Sequence, residues 1–327
     1  MSTEKNHTSP AGFNPPFFLK PAGVQTLLAS AGIRARGSNP MLAAAESRII
    51  TTAGGIRLLG FMSRQPKSHS KGLVILLHGW EGSAASTYIR VTGRFLFDAG
   101  YDVFRLNFRD HGPTHHLNTG IFYAVLLDEV FDAVRQIAES EAGQPVFLAG
   151  FSLGGNFALR IAQQCAVTPI SALLQVMAIS PVLDPDKATD RIDQSPLILF
   201  YFLRKWRRSL AIKQRCFPEL YDFSDLMKIR SLREMTQRLL CRYSDYTRAR
   251  DYFNAYSLME TGMADIRLPA TIITAMDDPI IPVEDFDMVA TSPSIRLRVQ
   301  PHGGHNGFLG QGLKPWYEEV MAECFRG

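Results

Sequence analysis

Short apolar runs recur at intervals along the chain: LVILL (73–77), DVFRL (102–106), VFLAG (146–150), LLQVMAI (173–179), ATIITA (270–275) and IRLRV (295–299). Between the earlier runs, residues 87–99, 121–139 and 155–165 repeat apolar positions at helical spacing. Strands apolar on both faces, alternating with helices, predict a mostly parallel central sheet flanked by helices on both sides. Upstream, SRIITT and IRLLGFM flank Gly54-Gly55 and predict a β-hairpin. The first 40 residues, rich in proline, glycine and serine, are expected to wrap the surface, and no internal repeat is present.

The rhythm breaks between LLQVMAIS and ATIITA, where residues 184–264 are strand-poor and helical in pattern. Because the sheet must resume afterwards, this stretch reads as an inserted helical cap. The expected division is a wrapping segment 1–45, a first core part 46–183, the cap 184–264 and a second core part 265–327. At 327 residues, one large α/β domain with an insertion accommodates the whole chain.

Net charge is only +4, but Arg204, Lys205, Arg207, Arg208, Lys213 and Arg215 lie in a stretch, Gln194 to Pro218, that contains no acid. Setting these six aside leaves −2 elsewhere, so no domain-wide basic balance points to nucleic acid. The same stretch mixes large apolar residues with cations, which suits a lid with an apolar underside and also a weak contact with an anionic membrane surface. The amino terminus lacks the apolar run of a signal peptide and no later stretch is apolar enough to span a bilayer, so a cytoplasmic protein is expected. Cys165, Cys216, Cys241 and Cys324 form no CxxC pair and are expected to be reduced core residues.

Candidate chemistry centres on LAGFSLGGNF (148–157). Gly150-Phe151-Ser152-Leu153-Gly154 joins a predicted strand to a predicted helix, a G-x-S-x-G turn in the setting that exposes a nucleophilic serine. A turn this sharp brings strand end and helix start so close that a Cβ at 150 or 154 would collide, and Gly155 allows the helix to lie tightly on the sheet. A serine hydroxyl needs a base and the base an orienting acid, in the chain order Ser, Asp or Glu, His. ATIITAMDDPIIP puts Asp277 and Asp278 at a strand's carboxyl end; adjacent residues point differently, and spacing leaves both open. IRLRVQPHGGHNGF ends a strand in a glycine-flanked loop carrying His305, with His302 closer to the strand and less able to swing over the serine. LVILLHGWEGS ends a strand at His78-Gly79, where the backbone N–H of Trp80, with that of Leu153, is placed to receive a developing oxyanion. His111, His115 and His116 share one loop, expected to be flexible, without carboxylates at ligand spacing, so neither a metal nor another cofactor is expected.

HGWEGSAASTY, NFRDHG, GFSLGGN, DDP and GGHNGF occur together and in order. The chain thereby resembles the α/β-hydrolases, in particular their YheT-type, carboxylesterase-like branch, and FNPPFFLKPAGVQT and SLREMTQRLLCRYSDYTRARDYF extend the likeness over most of its length. The resemblance implies a serine hydrolase that cleaves a small-molecule or lipid-like ester through an acyl-enzyme, with Ser152, Asp278 and His305 as triad and Trp80 and Leu153 at the oxyanion; the loop Pro-Ile-Ile-Pro after Asp278 favours that aspartate. An acyltransferase using the same acyl-enzyme and a non-catalytic scaffold are the alternatives. Two departures stand out: Gly23 replaces a histidine shortly before Gln-Thr, and Asp110 replaces the glycine usual after Phe-Arg.

Overall fold

A computed structural model describes residues 12–66, 70–141, 143–259 and 263–325. The amino-terminal segment carries helices α1 (Ala22–Ala29) and α2 (Pro40–Ala43) and is followed by a hairpin of β1 (Ala45–Thr51) and β2 (Arg57–Ser63). Then come β3 (Leu73–Leu77), α3 (Thr87–Asp98), β4 (Asp102–Leu106), α4 (Leu127–Ser140), β5 (Val146–Phe151), α5 (Leu153–Gln164) and β6 (Leu173–Ile179). Four helices intervene before the sheet resumes: α6 (Pro185–Gln194), α7 (Pro196–Cys216), α8 (Leu232–Tyr243) and α9 (Ala249–Asn254). The chain closes with β7 (Ala270–Ala275), β8 (Ile295–Gln300) and α10 (Trp316–Cys324).

The eight strands form one sheet in the order β1-β2-β4-β3-β5-β6-β7-β8. The pairings of β2 with β1 and with β4 are antiparallel, and those among β3 to β8 are parallel. Alternation along β3 shows why its run is continuously apolar: Leu73, Ile75 and Leu77 enter the core shared with α4, α5 and the four-helix insertion, while Val74 and Leu76 enter the opposite core with α3 and α10. From β3 the chain moves first to β4 on one side and then to β5 on the other, so the carboxyl ends of β3 and β5 border the crevice where such sheets bind ligands.

Three expectations need correction. The helix expected over 121–139 begins only at Leu127, because residues 122–124 bond elsewhere: Phe122 N–H donates to Asp110 Oδ2 (2.9 Å), Ala124 N–H to the Tyr252 hydroxyl (2.9 Å), and Ala124 O accepts from Arg160 (2.8 Å). The cysteines are free but not core residues: Cys216 and Cys241 are exposed and Cys165 and Cys324 half-buried. The loop with His111 and His115 is tightly held rather than flexible, both imidazoles being buried. The amino-terminal segment does more than cover the surface, since Phe13, Leu19 and Gln25 are buried.

Candidate active site

Ser152 sits between β5 and α5 with φ 53° and ψ −115°, a conformation an L-residue holds only when its surroundings impose it. The imposition is visible at its neighbours. A Cβ on Gly150 would run into the Gly154 carbonyl, and one on Gly154 would lie 2.6 Å from the His78 carbonyl oxygen at the end of β3. Ser152 N–H donates to Ile179 O of β6 (2.9 Å), and its carbonyl accepts from Asn156 N–H (3.0 Å) inside the helix. With its backbone committed, the hydroxyl projects from the sheet edge at the positive end of α5.

His305 Nε2 lies 2.9 Å from Ser152 Oγ, and its Nδ1 lies 2.9 Å from Asp278 Oδ2. The carboxylate acceptor places the ring proton on Nδ1 and leaves Nε2 to accept from the serine. Asp278 is held by its other oxygen, which accepts from Ile280 N–H (2.8 Å) and Ile281 N–H (3.0 Å). Asp277 faces a different way: its Oδ1 accepts from Gly304 N–H (2.8 Å), and its Oδ2 lies 3.6 Å from His302 Nδ1. One aspartate meets the imidazole and its neighbour braces the loop that carries the imidazole.

The β3 loop supplies the facing wall. Gly79 N–H donates to the Tyr88 hydroxyl (3.0 Å), Glu81 N–H to His111 Nε2 (3.1 Å), and Gly82 N–H to Gly79 O (2.9 Å). Trp80 N–H, between them, has no partner among the described residues, and neither has Leu153 N–H at the first position of α5. A Cβ on Gly79 would approach Ser152 Cβ to 3.2 Å, so this loop packs directly on the serine. His78 fastens it underneath, accepting from Phe108 N–H at Nε2 (3.2 Å) while its Nδ1 reaches Gly79 O (2.8 Å). Burial holds His78 well below the usual imidazole range and pushes His111 down to about 4, so both are neutral structural groups at pH 7.

A pocket of about 1120 Å³, its open mouth included, extends from Ser152 and His305 beneath the helical insertion. Its walls are mainly apolar: Leu210 and Trp206 from α7, Leu239 and Leu240 from α8, and Tyr252 and Tyr256 near α9. One end is polar, with Glu81, Asp110, His111 and Lys213. Desolvation raises the Glu81 carboxyl to about 8, against the pull of Lys205. Lys213 is buried and donates to Asp110 Oδ1 (2.8 Å) and to the carbonyls of Asn118 (2.7 Å) and Gly120 (2.9 Å). Asp110 stands at φ 57°, a left-handed position suited to glycine and tolerated by aspartate.

A family model described as "Alpha/beta hydrolase family" matches residues 74–314. The chain belongs to the alpha/beta hydrolase family. Within it the chain is YheT-like: it is 24% identical over 281 residues to YheT of Escherichia coli (strain K12), named as a candidate esterase, across 81% of this chain and 79% of that protein. Phospholipase ABHD3 of Mus musculus is 22% identical over 256 residues, 77% of this chain and 62% of its own length. Among solved structures, the Pyrococcus furiosus esterase Pf2001 superposes with a TM-score of 0.55 at 19% identity, covering 85% of this chain and 89% of its own, which is a likeness of fold. As an esterase-like member of this family, the protein is a hydrolase.

In this alpha/beta hydrolase, several residues that shape the site were not singled out by sequence reasoning. Thr26 Oγ1 accepts from His305 N–H (2.9 Å), while Gln25 accepts from Leu309 N–H (2.7 Å) and donates to Leu309 O (3.1 Å), so α1 clamps the histidine loop from both ends. Both lie in the PAGVQT stretch that carries part of the family likeness, which was the available signal. Asp110 was visible as a departure, but nothing in its neighbourhood announced a lysine 103 positions away as its partner.

Proposed function

We propose that this hydrolase cleaves carboxylic esters through an acyl-enzyme, with Ser152 as nucleophile, His305 as general base and then acid, and Asp278 as the group that orients and stabilises the imidazolium. The observation that carries the reading is the pair of 2.9 Å contacts linking Ser152, His305 and Asp278 at a strained turn beside an apolar pocket. His305 takes the serine proton as Oγ adds to the ester carbonyl, and the unpartnered N–H groups of Trp80 and Leu153 receive the oxyanion. Collapse expels the alcohol, protonated by His305; water then enters by the same base and frees the acid. An acyl chain suits the apolar walls, so the ester is lipid-like on its acyl side. In this reading residues 184–264 act as a cap on a core made of 46–183 and 265–327, with 12–45 wrapped against it; residues 1–11 of the expected wrapping segment lie outside the described residues.

Turnover of p-nitrophenyl esters from acetate to palmitate tests the proposal. Ser152→Ala should lower kcat by on the order of a millionfold and abolish labelling by a fluorophosphonate probe. Undiminished ester hydrolysis by that variant would remove Ser152 from the chemistry.

A further inference from the structure

Among the described residues, exposed large apolar side chains concentrate on two segments that flank the site. One is the amino-terminal segment, where Phe17 is 83% and Leu27 72% exposed; the other is the start of α7, where Leu197 is 82% and Phe200 68% exposed. Both segments touch the loops around Ser152. Helix α1 holds His305 through Thr26, and α7 stacks Phe202 on Trp80 (5.4 Å between centroids) while Lys205 donates to Glu81 O (2.7 Å). The outward face of α7 runs Leu197, Phe200, Tyr201, Arg204, Arg208, Arg215, apolar at its start and cationic beyond, whereas Trp206 and Leu210 on its inward face line the pocket.

The charge is one-sided. Residues 12–45 hold Lys20, Arg34 and Arg36 and no acid, and residues 194–218 hold six cations and no acid. On α8 and at the start of α9, Arg233, Arg238, Arg242 and Arg248 are all ion-paired, yet exposed Arg204, Arg208 and Arg215 have no acidic partner among the described residues. Unpaired cations beside exposed aromatic and aliphatic side chains match a surface that lies on an anionic bilayer and buries its apolar tips among the acyl chains.

We propose that the amino-terminal segment and the outer face of α7 form one docking surface for anionic lipid bilayers, setting the mouth of the Ser152 pocket at the membrane. Docking does not depend on the serine, so Ser152→Ala binds as the wild type does. The test is sedimentation with vesicles of phosphatidylcholine containing about one-third phosphatidylserine, against phosphatidylcholine alone, at about 0.05 M and about 0.5 M salt. The full chain should pellet with the anionic vesicles at low salt and be released at high salt. Arg204→Gln with Arg208→Gln should lower the partition coefficient by on the order of 30-fold. Leu197→Ser with Phe200→Ser should lower it at least about tenfold. Both double variants should keep the wild-type circular dichroism and turnover of a short water-soluble ester. Failure to pellet at low salt, or pelleting indifferent to both double variants, overturns the proposal. So does a concentration-dependent dimer that Phe200→Ser dissolves without any vesicle binding, which would assign the patch to a second copy of the chain.

Discussion

Replacing Lys213 by Met removes an ammonium that sits 1% exposed in α7 and leaves Asp110, 6% exposed, with only the Phe122 N–H. The carbonyls of Asn118 and Gly120 lose their shared donor at the same time. Breaking a buried pair from one side costs about 3–5 kcal/mol, because the remaining charge stays desolvated. For a chain of 327 residues that is a fall in Tm of about 4–7 °C. The loss should depend on pH. Burial already holds the Asp110 carboxyl up at about 6, and the ammonium that opposes this shift is gone in the variant. A carboxyl raised in the folded state contributes its stability below its unfolded value near 3.8 and loses it as pH rises through the folded value, so the penalty of Lys213→Met should be larger at pH 8 than at pH 5. Differential scanning calorimetry at both pH values measures it. A cycle with Asp110→Gly, which suits φ 57°, should give a coupling of about 2–3 kcal/mol. A loss under about 1 kcal/mol, or one equal at the two pH values, would refute the view that this pair fastens α7 to the pocket wall.

Asp278→Asn should lower kcat by about ten-thousandfold by disturbing the imidazole tautomer, whereas Asp277→Asn, which touches only the loop, should cost no more than about tenfold; steady-state kinetics separate them. Thr26→Val should lower kcat with KM little changed, since it frees the His305 backbone without touching the pocket. Gly154→Ala should abolish activity and lower the urea midpoint by an amount equivalent to at least about 3 kcal/mol, because its Cβ has nowhere to go against the end of β3. Buried His78 and His111 have folded values depressed below 6.5, with His111 at about 4. The unfolded chain therefore binds more protons as pH falls from 6.5 towards 4, and stability is lost over that window; urea midpoints at pH 7.5 and 4.5 should show it, with a shallower decline in His111→Gln.

Much of the architecture follows from local pattern. The apolar runs at 73–77, 102–106, 173–179 and 270–275 are strands with those bounds, because a strand covered on both faces is mostly apolar along its whole length and the few polar residues it holds, such as Asp102 and Arg105, are buried with it. The glycines around Ser152 announce a close approach of backbones, since only a missing side chain permits one. Where pattern misled, long-range bonding had replaced it: residues 122–124 look helical, yet their backbone groups bond to Asp110, Tyr252 and Arg160.

What adjacency in the chain cannot convey is which of two neighbouring groups faces a distant one. Asp277 and Asp278 are chemically identical, and only the turn after β7, packed against the loop after β8, sends one to the imidazole and the other to Gly304. Likewise the chain order of Thr26, Asp110 and Lys213 holds no sign that the first would hold the histidine loop and the others join α7 to the loop after β4. Hydrophobic periodicity is a property of consecutive residues and is written in the sequence, while the aim of a buried polar side chain is set by whichever partner the folded chain brings within hydrogen-bonding distance.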